Sequence, residues 1–227
     1  MAKFFVVATP IGNLEDITLR ALEVLKSADM VVCEDTRHTQ NIFSRYNFSR
    51  PVLSYHQHSY LGKIKQILDL LREGKNLALV SDAGTPGISD PGQYLISQIW
   101  DKLPETEIIP IPGPSAVISA ASVSGFNTDQ FLFLGFLPLK GRAKALTAIV
   151  ESPHTIIFYE APHRILKTLE ELKPLLGSRR VLIARELTKK FESLYRGTTE
   201  EIIARLSAPS DIKGEFVIVV EGAKAKH

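Results

Sequence analysis

A chain of 227 residues with 44% apolar and 23% charged content has the composition of a globular protein, and no apolar run approaches the roughly 20 residues of a membrane span. A membrane-spanning helix and a disordered polypeptide are both excluded. The single cysteine, Cys33, excludes an internal disulfide and a cysteine-cluster metal site, and a net charge of +2 permits RNA binding without requiring it. The length allows one large domain or two small ones. Met1-Ala2-Lys3 runs straight into the strand-like Phe4-Phe5-Val6-Val7, which leaves no room for a secretory signal segment, so a cytoplasmic location is expected.

Lys3 to Ala8 reads as a first strand buried on both faces, followed by the turn Thr9-Pro10-Ile11-Gly12-Asn13. Leu19, Leu22 and Leu25 then recur on one helical stripe. Met30 to Cys33 is a second strand with Cys33 in the core, and Glu34-Asp35-Thr36-Arg37 stands at its carboxyl end. A helix to about Arg45 and a strand at Pro51 to Ser54 follow. Ile64, Ile67, Leu68 and Leu71 mark the clearest amphipathic helix, which Gly74 ends. Leu77 to Val80 is the next strand, and it runs into Ser81 to Gly92, SDAGTPGISDPG, before a helix through Tyr94, Leu95, Ile96 and Ile99. Three glycines and two prolines in those twelve residues set backbone angles that ordinary residues resist, and Asp82 and Asp90 supply hydrogen-bond acceptors. Glu107 to Ile111 is a fifth strand. Strands alternating with helices predict a mainly parallel sheet wound on both faces.

Pro110-Ile111-Pro112-Gly113-Pro114 is stiff and suits a domain boundary, which we place near residue 112, giving an N-terminal α/β domain over 1–112 and a C-terminal α/β domain with a mixed sheet over 113–227. A helix of small residues (Ala120, Ala121, Ser122) runs to Gly125 and predicts close packing against another backbone. Further strands are expected at Phe131 to Phe136, Thr155 to Tyr159, Arg180 to Arg185, Ser193 to Arg196 and Glu215 to Glu221. Ile165, Leu166, Leu169 and Leu172 form an apolar stripe, Thr198 with Glu201 has the spacing of a capping box, and the tail from Ala223 is expected to fray.

Polar, Gly/Pro-rich clusters fall at the ends of these strands: Thr9 to Asn13, Glu34 to Arg37, Ser81 to Asp90, Pro112 to Ala116, Tyr159 to Arg164 and Arg185 to Lys190. In parallel sheets such clusters collect on one rim, where α/β folds bind ligands, and a cleft between the two halves is expected to receive them. Neither a Walker loop nor GxGxxG is present, which argues against a phosphate-cradling nucleotide site. His56 and His58, two apart, would point to opposite faces of a strand, and no metal is expected.

The blocks ATPIGNL at 8–14, CEDTR at 33–37, SDAGTPGISDPG at 81–92, PGPSA at 112–116, FYEAPHR at 158–164 and ARELTK at 184–189 resemble the tetrapyrrole methylase superfamily of S-adenosylmethionine (SAM) enzymes, over essentially the whole chain and in order. Within it they look like the ribosomal RNA small subunit methyltransferase I branch. That resemblance implies two α/β domains with SAM between them, methylation of a cytidine 2′-hydroxyl in the decoding region of 16S ribosomal RNA, action on the small ribosomal subunit, and a homodimer. It places Pro10, Ile11, Gly12, Asp82, Ala83, Gly84, Thr85, Ser115 and Ala116 against the cofactor, with Tyr159, Ala184 and Gly214 from the second domain. The Ser81-Asp82-Ala83 strand end departs from the Gly-Asp-Pro of the tetrapyrrole enzymes and weighs against a porphyrin substrate.

Direct displacement at a methyl group asks chiefly for alignment of the acceptor oxygen, and a ribose hydroxyl also needs a group to take its proton. Glu34, Glu160 and Glu186 are the candidate proton acceptors, beside Asp35 and His163. Glu34, Asp35 and Glu186 could equally pair with Arg37, Arg164 or Arg185, and His163 could cap a helix. Arg37, Arg164 and Lys189 are candidates for RNA phosphates or for carboxylates that orient the site. Lys140, Arg142 and Lys144, with Arg179-Arg180 and Lys189-Lys190, could form a basic rim or an ordinary solvated face. No RNP-type aromatic motif is present, so the substrate is expected to be a shaped ribosomal particle. Two other readings remain: a small-molecule methylase of the tetrapyrrole type, and a non-catalytic RNA-binding assembly factor.

Overall fold

A computed structural model describes residues 1–55, 60–206, 208 and 211–223. His56 and His58 lie outside the described residues, as does the tail 224–227. The chain divides into two compact units, Met1–Ser115 and Ala116–His227.

Unit 1 holds five strands, β1 (Lys3–Val7), β2 (Met30–Cys33), β3 (Val52–Ser54), β4 (Leu77–Leu79) and β5 (Glu107–Ile111), in the order β3-β2-β4-β1-β5. Every pairing is parallel. The connecting helices are α1 (Leu19–Ser27), α2 (Thr36–Arg45), α3 (Tyr60–Arg72) and α4 (Gly92–Lys102). Two apolar clusters show how the sheet is covered. Phe4, Val32, Leu77 and Leu79 pack with Ile64, Ile67 and Leu71 of α3 and with Leu95 and Ile99 of α4. Val7, Val31, Cys33 and Ala78 pack on the other face with Leu22 and Leu25 of α1 and with Ile42 and Phe43 of α2. The sheet is thus wound on both faces, as the strand–helix alternation predicts. Burial pushes the Cys33 thiol above its ordinary pKa, against a hydrogen bond with Thr39, so it serves the core rather than chemistry.

Two readings of unit 1 need correction. Leu19 does not join the buried stripe of α1; it is 81% exposed, because it opens the helix behind the Thr18 cap, before the chain turns onto the sheet. Nor is β1 enclosed on both faces throughout, since Phe5 and Val6 remain half-buried beside the edge strand β5.

Unit 2 holds β6 (Phe131–Phe136), β7 (Thr155–Glu160), β8 (Val181–Arg185), β9 (Ser193–Gly197) and β10 (Phe216–Val220), in the order β6-β7-β10-β8-β9. Only β6 and β7 are parallel neighbours; the remaining pairings are antiparallel, so the sheet is mixed. Helix α5 (Ala116–Ser124) lies on one face, where its small residues Ala120 and Ala121 sit among Ile157, Leu182, Ala184 and Val219. Helices α6 (Arg142–Glu151), α7 (Ile165–Leu176) and α8 (Thr199–Arg205) close the other face over Phe158, Ile183 and Ile218. The capping box at α8 is complete: Glu201 N–H donates to Thr198 Oγ1 at 3.3 Å and Thr198 N–H to the Glu201 carboxylate at 2.9 Å.

Candidate active site

In unit 1 the carboxyl ends of β1, β2, β4 and β5 share one edge because all four strands run the same way. The loops that leave them are tied to each other. Thr9 N–H donates to Gly84 O at 2.9 Å, Gly84 N–H returns to Thr9 O at 3.0 Å, and Thr9 Oγ1 donates to Ser81 O at 3.1 Å. These bonds clip the TPIGN turn onto the SDAGTPG loop. Gly84 sits at φ +81°, in the left-handed region that side chains with a Cβ rarely adopt, so the clip favours glycine. Ala8 N–H donates to Ile111 O at 3.1 Å, and Gly113 passes so close that a Cβ would stand 3.1 Å from that of Ala8. Thr85 Oγ1 reaches Pro114 O at 3.5 Å. These bonds tie together the loops that carry Pro10, Ile11 and Gly12, Ala83, Gly84 and Thr85, and, next to Pro114, Ser115.

Asp82 bridges the next pair of strands. Its Oδ1 accepts the Asp35 N–H at 3.0 Å, and its Oδ2 lies 3.7 Å from His38 Nδ1. His38 escaped the sequence reading, although it stands one turn after Asp35, the N-cap of α2. Asp35 is engaged locally: hydrogen bonds from the Arg37 guanidinium and N–H hold its carboxyl well below the usual carboxylate range. Glu34 lines a small recess with Ser81, Pro86, Asp90 and Pro91. Burial pushes the Asp90 carboxyl up to about 6, with the negative charges of Glu34 and Asp82 adding to the rise and a Ser81 hydrogen bond opposing it.

In unit 2 the ends of β7 and β8 and the start of β10 form a second rim, since β7 and β8 both run antiparallel to β10. The Glu160 side chain is 0% exposed and its oxygens are taken: Oε1 accepts from Ala161 N–H at 2.9 Å and pairs with Arg164 Nε at 3.0 Å, while Oε2 accepts from Thr168 Oγ1 at 2.6 Å and pairs with Arg142 Nη2 at 3.4 Å. Arg142 Nε also pairs with Glu171 at 2.6 Å. Of the two roles read from sequence for Arg164, RNA phosphate or orienting carboxylate, its contact with Glu160 matches the second; Arg142, read as part of a basic rim or a solvated face, is instead largely buried on the same carboxylate. No spacing in the sequence links Arg142 to Glu160.

Glu186 has left-handed backbone at φ +50°, and its carboxylate accepts from Glu215 N–H at 2.9 Å and from Lys189 Nζ at 3.1 Å. Burial works to raise its pKa, but these bonds outweigh it and hold the group below its ordinary value. Lys189 stands between Glu186 and Glu215, the latter at 3.0 Å. Gly214 is pressed against Glu186, where a Cβ would fall 2.5 Å from the carboxyl carbon. Arg185 donates to Lys213 O at 2.7 Å and to Phe191 O at 3.2 Å, and its charge also favours the ionised form of Glu186. Tyr159 is half-buried beside the rings of Phe133 and Phe136, whereas Ala184 is fully buried beneath α5. His163 is exposed and does not cap α7; the cap position is Arg164, whose side chain makes no capping bond. Among the described residues, no group of three or more His, Cys, Asp or Glu is gathered to hold a metal.

The chain matches the family model "Tetrapyrrole (Corrin/Porphyrin) Methylases" over residues 3–203. It is 47% identical over 226 residues to a Synechocystis protein named ribosomal RNA small subunit methyltransferase I, covering 98% of this chain and 80% of that relative. The Thermotoga maritima protein of the same name is 44% identical over 223 residues, covering 98% and 99%. Among solved structures, a cobalt precorrin-4 methyltransferase superposes with a TM-score of 0.72 at 18% identity, covering 96% of this chain and 94% of that one, and a diphthine synthase superposes at 0.73 and 11%, covering 97% and 90%. At those identities the superpositions speak to the fold alone, and the fold is the one built above. With the family model spanning most of the residues and full-length relatives sharing close to half of them, this chain belongs to the tetrapyrrole methylase family, in its ribosomal RNA small subunit methyltransferase I branch.

Proposed function

We propose that this chain methylates 16S ribosomal RNA of the small ribosomal subunit, using SAM and acting on the 2′-hydroxyl of a cytidine in the decoding region. In this reading the protein is a cytoplasmic homodimer, its protomers are two domains bounded near residue 112, and SAM lies between them. The observation that carries the reading is the joint presence of two things: relatives named for small-subunit RNA methylation at 44–47% identity, and a strand-end rim whose groups suit a polar, phosphate-free cofactor.

The fit of SAM to the rim rests on chemistry. An adenine edge, ribose hydroxyls and an amino acid head can be read by backbone amides and carbonyls, and Gly84, through its left-handed backbone, and Gly113, through its close approach to Ala8, let the loops that carry them come together. When bound, SAM supplies a methyl group on a sulfonium. The residues of this chain do the rest: Pro10 to Gly12, Asp82 to Thr85 and Ser115, with Ala116, Tyr159, Ala184 and Gly214, hold the cofactor so that the acceptor oxygen lines up behind the methyl carbon. Ala184 would contribute by shaping the floor, since its side chain is core. Of the candidate proton acceptors, Glu160 is enclosed and Glu186 is held by Lys189 and the Glu215 amide, so we place the task on Glu34, on the rim beside Asp90. Arg37, whose side chain is exposed, faces the RNA, while Arg164 and Lys189 orient carboxylates.

Recognition of an assembled particle makes a direct expectation. With radiolabelled SAM, 30S subunits from cells lacking the gene should accept methyl groups at least tenfold faster than a short naked RNA carrying the same nucleotide, on the order of the gain that extra shape and phosphate contacts provide. Equal rates on the two substrates would refute particle recognition.

A further inference from the structure

The end of β6 carries an arrangement that the family match does not explain. In this edge strand, Phe131 and Phe133 pack toward the α5 cluster while Leu132 and Leu134 face away and stay exposed. Strict alternation would send Phe136 to the side of Leu132 and Leu134. Instead the register slips between Phe133 and Phe136, with Gly135 at φ +62°, and Phe136 pairs with Tyr159. The bulge re-aims the side chain. Its ring comes to 5.3 Å from that of Tyr159, which in turn meets Phe133 at 5.0 Å, yet Phe136 stays 58% exposed. A large ring is thereby held in water on an aromatic backing.

The turn beyond it is clamped from beneath. Arg164 Nη2 donates to Leu137 O at 2.8 Å, and Glu160 binds both Arg164 and Arg142. Those two arginines are neutralised inside. Lys140 and Lys144 are exposed, neither is in an ion pair among the described residues, and no acidic residue occurs from Phe131 to Val150. A fixed ring followed within eight residues by two exposed cations suits a stacked base with phosphates nearby, whereas an apolar protein partner would be opposed by the two charges.

We infer that Phe136 is a stacking platform for an unpaired base of the RNA substrate and that Lys140 and Lys144 neutralise the adjoining phosphates. The inference rests on the RNA-methyltransferase reading and adds the residues that grip the strand. Binding to 30S subunits and methyl transfer to them are measured side by side for wild type, Phe136→Ala, Phe136→Trp and the double variant Lys140→Glu/Lys144→Glu. Phe136→Ala should weaken 30S binding about tenfold while leaving SAM binding unchanged, and Phe136→Trp should restore 30S binding to within about twofold. The lysine double variant should weaken it as well and flatten its dependence on salt. Unchanged 30S binding in Phe136→Ala, or a Trp variant as weak as Ala, overturns the platform. Wild-type protein that binds 30S subunits through Phe136 but transfers no methyl group would instead overturn the enzymatic reading and leave the platform standing.

Discussion

Glu160→Ala should destabilise the protein by about 3–5 kcal/mol, the range for removing one partner of a buried ion pair, and lower the melting temperature by roughly 10 °C. The carboxylate is enclosed, and it is shared by Arg142, Arg164, Thr168 and the Ala161 amide. Truncation leaves the largely buried Arg164 without its carboxylate and Arg142 with only that of Glu171, and it frees the loop that β7 sends onto the rim. Differential scanning calorimetry reads the effect directly. A Glu160→Ala protein that melts like the wild type but has lost turnover would instead make Glu160 the proton acceptor, against the geometry.

The second large effect is expected at Asp82. Replacing it with alanine should weaken SAM binding on the order of 10- to 100-fold, the ~1.5–3 kcal/mol of a hydrogen bond to a charged group, as measured by isothermal titration. Asp82 stands at the end of β4 with one oxygen on the Asp35 amide, so it both presents a carboxylate to the rim and holds the β2 loop beside it. Its side chain is partly solvated and the melting temperature should move by only a few degrees. Wild-type SAM affinity in the variant would mean that the pocket is elsewhere.

The strands were readable in advance because each is a short apolar run closed by glycine, proline or a charged pair. Glu107 to Ile111 and Met30 to Cys33 fall where those runs do. Parallel pairing in unit 1 followed from the helices between strands, and with it the gathering of Thr9, Asp82 and Gly113 on one edge. The pairings of individual charges did not follow. Arg142 and Glu160 are 18 positions apart on different elements, and only the packing of α6 over the sheet that holds β7 brings them together. Lys189 could be read for a phosphate or for a carboxylate, because sequence shows a cation and hides the two carboxylates that the left-handed turn at Glu186 folds around it. The slip at Gly135 was equally hidden: a bulge depends on the partner strand, and a single run of FLFLGF reads as plain alternation.

The account turns on methyl transfer to a sugar oxygen of small-subunit RNA. Mass-spectrometric mapping of 2′-O-methyl groups in 16S ribosomal RNA, from cells with and without this gene, tests that most directly. Loss of the methyl group from one cytidine of the decoding region, restored by the wild-type gene and not by the Asp82→Ala variant, is the result expected; identical maps from the two strains would contradict the account.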